Sequence, residues 1–198
     1  MSTSLYAISN TTIPQKPSFE YLNEKIEALN AFNFGNTYMT YSDDNGKLIT
    51  KTDARSWYHE TTNENDFLEI YINGGSPYDI TLLPNLGYIS FMLKYRELYG
   101  LYKYSYLTKF RKELYQIVNL FGGSEVIFLA DNGCDKLSHY LELMAWENIP
   151  YQEIKEQMIN DLGKPITEYT LLDESKISYK HITEFVMDDF FDIKEITK

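Results

Sequence analysis

The sequence predicts an α+β protein, and three features carry that prediction. Apolar residues follow helical spacing in some stretches and alternate in others. An Asn45-Gly46 pair sits between two β-prone runs. The continuous apolar run Val126-Ile127-Phe128-Leu129-Ala130 suggests a strand buried on both faces.

The elements follow in chain order. The first 17 residues are polar, contain Pro14 and Pro17, and read as an extended lead-in. Ser18 then stands before Phe19, Leu22, Ile26, Leu29 and Phe32, one face of an amphipathic helix with Ser18 as its N-cap and Gly35 beyond its end. Thr37–Tyr41 and Lys47–Lys51 flank Asp43-Asp44-Asn45-Gly46 as a hairpin. With the runs Arg55–Glu60 and Phe67–Ile72 they form an N-terminal antiparallel β-meander over about residues 37–72. Gly74 to Pro77 ends it and is the one plausible subdomain boundary in a chain otherwise read as a single domain, 1–198.

Tyr88, Phe91, Met92, Tyr95, Tyr99 and Tyr102 recur at helical spacing, so the middle is expected to be helical. A second helix runs from about Ser105 to Phe121 and stops at Gly122-Gly123. The buried strand, about residues 125–130, comes next, and a turn at Asp131-Asn132-Gly133 leads into a helix carrying Leu137, Tyr140, Leu141 and Met144. A further helix begins at Pro150 and closes at Gly163. A short strand near Glu168–Leu172 and a last helix from about His181 to Phe191 complete a helix-rich C-terminal third.

Composition narrows the function. The net charge of −11 disfavours nucleic acid, which needs a basic surface. That charge is unevenly placed: six basic and two acidic side chains in residues 86–113 lie between two anionic ends. In the cationic stretch Lys94, Arg96, Lys103, Lys109, Arg111 and Lys112 interleave with tyrosines, a pattern that single-stranded nucleic acid can use, but here it reads as a solvated helix face or as complement to the acidic C-terminal third. One cysteine excludes an internal disulfide, no leader is read at the N-terminus, and no apolar stretch approaches the ~18 residues of a membrane span. The expectation is a cytoplasmic protein with no membrane role. The 18 tyrosines supply rigid, amphipathic contact area, although biased composition alone accounts for many of them.

Motifs for familiar chemistry fail on inspection. His59-Glu60-Thr61-Thr62-Asn63 begins like a zinc-protease helix but has Asn where the second imidazole belongs. Asp43–Gly46 lacks the ligand spacing of a calcium loop, and Gly122-Gly123-Ser124 precedes its strand instead of following it as a nucleophile elbow does. The best chemical candidates are Asp131, Cys134, Asp135 and His139. Asp131 ends the buried strand, and Asp135 and His139 share one helix face, where a carboxylate could orient the imidazole or the two could hold a divalent ion. Capping and packing explain the same residues, so no metal and no cofactor is expected. Glu184, Asp188, Asp189, Asp192 and Glu195 crowd the last helix, where the spacing 184, 188, 192 and 195 makes an acidic stripe suited to docking on a basic protein partner. The sequence thus favours a non-catalytic, protein-binding or regulatory protein of the inhibitor or immunity type. A small metal-assisted hydrolase using the Asp131–His139 region is the alternative.

Overall fold

The computed structural model describes residues 4–14, 17–32, 37–42, 48–51, 68–73, 78–82, 87–94, 104–131, 139, 140, 143, 147, 149–165, 167 and 185–196. In order these form β1 (Ser4–Ser9), α1 (Phe19–Ala31), β2 (Thr37–Ser42), β3 (Leu48–Lys51), β4 (Leu68–Asn73), β5 (Tyr78–Leu82), β6 (Gly87–Lys94), α2 (Tyr104–Leu120), β7 (Val126–Asp131), α3 (Tyr151–Leu162), β8 (Val186–Asp188) and α4 (Phe191–Ile196). The described strands join in one antiparallel sheet, ordered β3-β2-β4-β5-β6-β1-β7-β8. The protein is α+β.

Several elements follow directly from local signals. The Ser18 hydroxyl accepts from the Tyr21 N–H at 3.2 Å and caps α1. Pro150 precedes α3, and Gly163 ends it at φ 94°, its N–H bonded to the Ile159 carbonyl. β2 and β3 pair as a hairpin from Met39↔Lys51 to Ser42↔Leu48. β7 is flanked by β1 and β8 and buries Val126 and Phe128 toward one core and Ile127 toward the other. The turn between β2 and β3, the run 55–60 and the strand expected near 168–172 lie outside the described residues.

Four elements differ from the sequence reading. β5 pairs with β4 beyond residue 72, where the meander was expected to end. Residues 87–94 are a strand, not the start of a helix. Tyr88, Ile89, Phe91, Met92 and Leu93 form an almost continuous apolar run, in which periods of 2 and 3.6 cannot be separated; tertiary pairing with β5 and β1 decides the outcome. The polar lead-in contains β1, which sits between β6 and β7 with Ala7 and Ile8 fully buried on opposite faces. The expected helix 181–191 contains β8 instead, because Phe185 and Val186 enter the two cores; the helix begins only at Phe191.

The sheet is covered on both sides. On one face Leu22 and Leu29 of α1, Leu114, Ile117 and Val118 of α2, and Ile193 of α4 pack with Ala7, Ile80, Leu82, Ile89, Val126, Phe128 and Val186. On the other, Tyr140, Leu143, Tyr151, Ile154 and Met158 pack with Ile8, Ile127 and Phe185. α3 is also pinned at its start. The Tyr151 hydroxyl donates to Glu125 Oε1 at 2.8 Å, and Lys155 Nζ reaches the same oxygen at 2.5 Å. Burial and the adjacent Glu125 carboxylate both raise the Tyr151 phenol above its ordinary value, so it stays a neutral donor.

One close approach makes a clear prediction. Gly87 lies opposite Ser9, whose hydroxyl is 2.8 Å from that of Thr11, both buried. A Cβ at position 87 would stand 2.3 Å from each of these oxygens. Gly87→Ala is therefore expected to lose about 1–3 kcal/mol in urea denaturation. A Ser9→Ala, Thr11→Ala background, which removes both clashing atoms, should shrink that loss; an equal loss in both backgrounds would mean that the clash lies elsewhere.

Candidate functional site

The two sequence-derived candidate regions have different fates. Asp131 is the last residue of β7, its backbone paired with Ser4. Cys134 and Asp135 lie outside the described residues. His139 lies in a helical turn and is exposed, its ring 5.8 Å from that of Tyr140 and its Nε2 3.5 Å from Gln157 Nε2. Tyr140 turns inward, and its hydroxyl donates to Asp161 at 2.7 Å. Among the described residues no three His, Cys, Asp or Glu side chains gather to hold a metal ion.

The acidic C-terminus is the better-defined region, although Glu184 lies outside the described residues. Its organiser is Arg111, one of the cationic residues read either as a solvated helix face or as complement to the acidic C-terminal third; the second holds for it. Arg111 shares the core-facing side of α2 with Leu114 and Val118 and is only 1% exposed. Its Nε and Nη2 donate to the two oxygens of Asp188 at 2.6 and 2.9 Å. Its Nη1 and Nη2 donate to those of Asp192 at 2.9 and 2.8 Å. The guanidinium thus makes two forked contacts, a geometry only arginine offers. Burial opposes its charge, but the bonds to Asp188 and Asp192 outweigh burial and hold it protonated, above its ordinary value.

The carboxylates play different parts. Asp188, in β8, is buried, and its Oδ1 also accepts from the Phe190 N–H at 2.9 Å. Asp189 is exposed, and its Oδ1 accepts from the Phe191 N–H at 3.1 Å, at the start of α4. Asp192 remains 47% exposed despite its bonds to Arg111. Lys194 Nζ reaches back to the carbonyls of Asp189 at 2.6 Å and Ser124 at 3.0 Å, tying α4 to the entry of β7. Between the two outward-facing acids stands Phe191, 65% exposed. The described acids of this end are therefore divided: Asp188 serves the interior, whereas Asp189 and Asp192 face water beside an aromatic ring.

Asp192 gives this corner a pH signature. The Arg111 bonds hold its carboxyl below the ordinary carboxylate range, against partial desolvation. A depressed folded-state value contributes stability that is present above the unfolded value, about pH 4, and is lost as pH falls through the folded value. The melting temperatures of the wild type and Asp192→Asn should accordingly differ most near pH 6 and converge toward pH 3. A gap that is constant with pH would show that Arg111 does not govern this carboxyl.

Of the cationic residues 94–112, Lys112 is exposed, Lys94 ends β6, Lys109 lies in α2, and Arg96 and Lys103 lie outside the described residues. No helix among the described residues is long and apolar enough to cross a membrane.

No protein-family model matches the chain, and no curated protein matches it. Among solved structures, a Pseudomonas aeruginosa T6SS protein aligns with a TM-score of 0.32 and 12% identity, over 65% of this chain and 41% of that one. At that TM-score the likeness decides nothing about function.

Proposed function

We propose that this chain is a non-catalytic, cytoplasmic regulator of the inhibitor or immunity type that binds a protein partner with a basic surface. The observation that carries the reading is the corner formed by Asp189, Phe191 and Asp192. A single exposed aromatic is ordinary on a protein surface. What supports a docking role here is its setting. Phe191 sits on a short helix too small to persist alone, held by the burial of Phe190 and Ile193 and by the Arg111 clasp, and it is flanked by two outward-facing carboxylates. Aromatic anchors on fixed backbones are where binding energy concentrates, because little ordering entropy is lost. The surrounding acids, within a chain of net charge −11, speed and select encounter with a cationic partner.

The test is site-specific photo-crosslinking in cells. A benzoyl-phenylalanine at position 191 is expected to give a discrete adduct with a basic protein, and the same group at Glu156, on the exposed side of α3, is not. Asp189→Lys with Asp192→Lys should abolish the adduct. Equal adducts from positions 191 and 156, or none from 191, would sink the reading.

A further inference from the structure

We propose that Arg111, buried beneath this surface, is its positioning residue: it fixes Asp192 and the first turn of α4 in the posture that a cationic partner meets. This inference rests on the docking reading above and adds to it a residue that no partner would touch.

Geometry carries the argument. The corner has two carboxylates within reach of one guanidinium, and that guanidinium treats them unequally. It consumes Asp188, which is buried and whose Oδ1 is further committed to the Phe190 N–H. It grips Asp192 through both oxygens while leaving that carboxylate about half in water. An aspartate on an exposed helical turn ordinarily samples its rotamers freely, and a partner must order it on binding. Asp192 is already ordered from within. It keeps about half of its surface in water next to Phe191 in the chain, and two carboxylates against one guanidinium leave the clasp with a net negative charge. Arg111 also links β8 to α4 across the turn at Asp189 and Phe190, and so sets the direction in which the Phe191 ring leaves the surface. A lysine has the same charge but a single ammonium, so it cannot hold both carboxylates by forked pairs.

The deciding variant is Arg111→Lys in the full chain, carrying the position-191 crosslinker. Three quantities are measured: thermal melting, the titration of the Asp192 carboxyl carbon by NMR, and the adduct yield. The expected result is a folded protein whose Asp192 titrates at higher pH than in the wild type and whose adduct yield falls about tenfold, as for loss of a well-placed contact. A folded Arg111→Lys with an unchanged Asp192 titration, or with wild-type yield, overturns the positioning role. If Arg111→Lys does not fold, Asp192→Asn serves in its place, since it leaves the Arg111–Asp188 pair intact. It is expected to fold and to lose adduct, and undiminished adduct overturns the proposal. A wild-type chain that crosslinks nothing at position 191 overturns the docking reading, and the role of Arg111 with it; the Asp192 titration shift would still occur, which keeps the two failures distinguishable.

Discussion

Arg111→Met is expected to destabilise the protein by about 3–5 kcal/mol, the usual cost of removing one partner from a buried ion pair. For a chain of this length that corresponds to a fall in melting temperature of roughly 10 °C. The size of the effect comes less from the bonds that disappear than from what they leave behind. Asp188 stays 3% exposed with its negative charge uncompensated, and its remaining described partner is the Phe190 N–H. Asp192 contributes little to the loss, because at 47% exposure it can turn to water. That asymmetry gives the prediction a second arm. Asp188→Asn added to Arg111→Met removes the stranded charge but keeps an oxygen for the Phe190 N–H, so it should recover part of the loss. Asp192→Asn added to Arg111→Met should recover almost nothing. Urea denaturation at pH 7 reads both arms. An Arg111→Met loss below about 1 kcal/mol would mean that water already solvates Asp188, and the clasp would then be a surface pair.

The same cluster marks the limit of what the sequence reveals. α1, α3, the β2–β3 hairpin and β7 were legible because their signals are local: a Ser18 cap, Pro150 and Gly163 at helix ends, an Asn-Gly pair, and an unbroken apolar run. β1 and β6 were not. Strands buried on both faces lose the alternation that identifies a strand, and in Tyr88 to Leu93 the apolar residues fit a helix equally well. Arg111 carried a usable clue, since it lies on the same face of α2 as Leu114 and Val118. A charge at a core position implies a buried partner. The charge pattern pointed to the acidic C-terminal third but not to which acids in it, as Asp188 and Asp192 lie 77 and 81 residues further on. Their spacing of four suggested one helical stripe, but Asp188 belongs to a strand and Asp192 to a helix, with a left-handed residue between them. The distinction between an interior acid and a docking acid is thus made by the fold alone.

That left-handed residue is Phe190, and it yields the second large effect. Its φ is +56°, a region that side chains with a Cβ rarely enter. It is nevertheless fully buried, with its ring 5.5 Å from that of Tyr115. The conformation is over-determined. The Phe190 N–H is held by Asp188, its carbonyl accepts from the Ile193 and Lys194 N–H groups to begin α4, and its ring fills the core between the sheet and α2. Phe190→Ala should cost about 3–5 kcal/mol for the cavity alone, with the backbone strain unrelieved. Phe190→Gly creates the same cavity but removes the Cβ that makes a left-handed φ costly, by about 1–2 kcal/mol. Glycine normally destabilises a fixed backbone relative to alanine by roughly 0.5–1 kcal/mol, because the unfolded chain gains freedom. At this position the order should invert, with Phe190→Gly as stable as Phe190→Ala or more so. Equilibrium denaturation of the two variants side by side decides the matter. Finding Phe190→Ala the more stable by the customary margin would show that the turn between β8 and α4 adopts an ordinary φ in solution, and that the burial of Phe190 is achieved without strain.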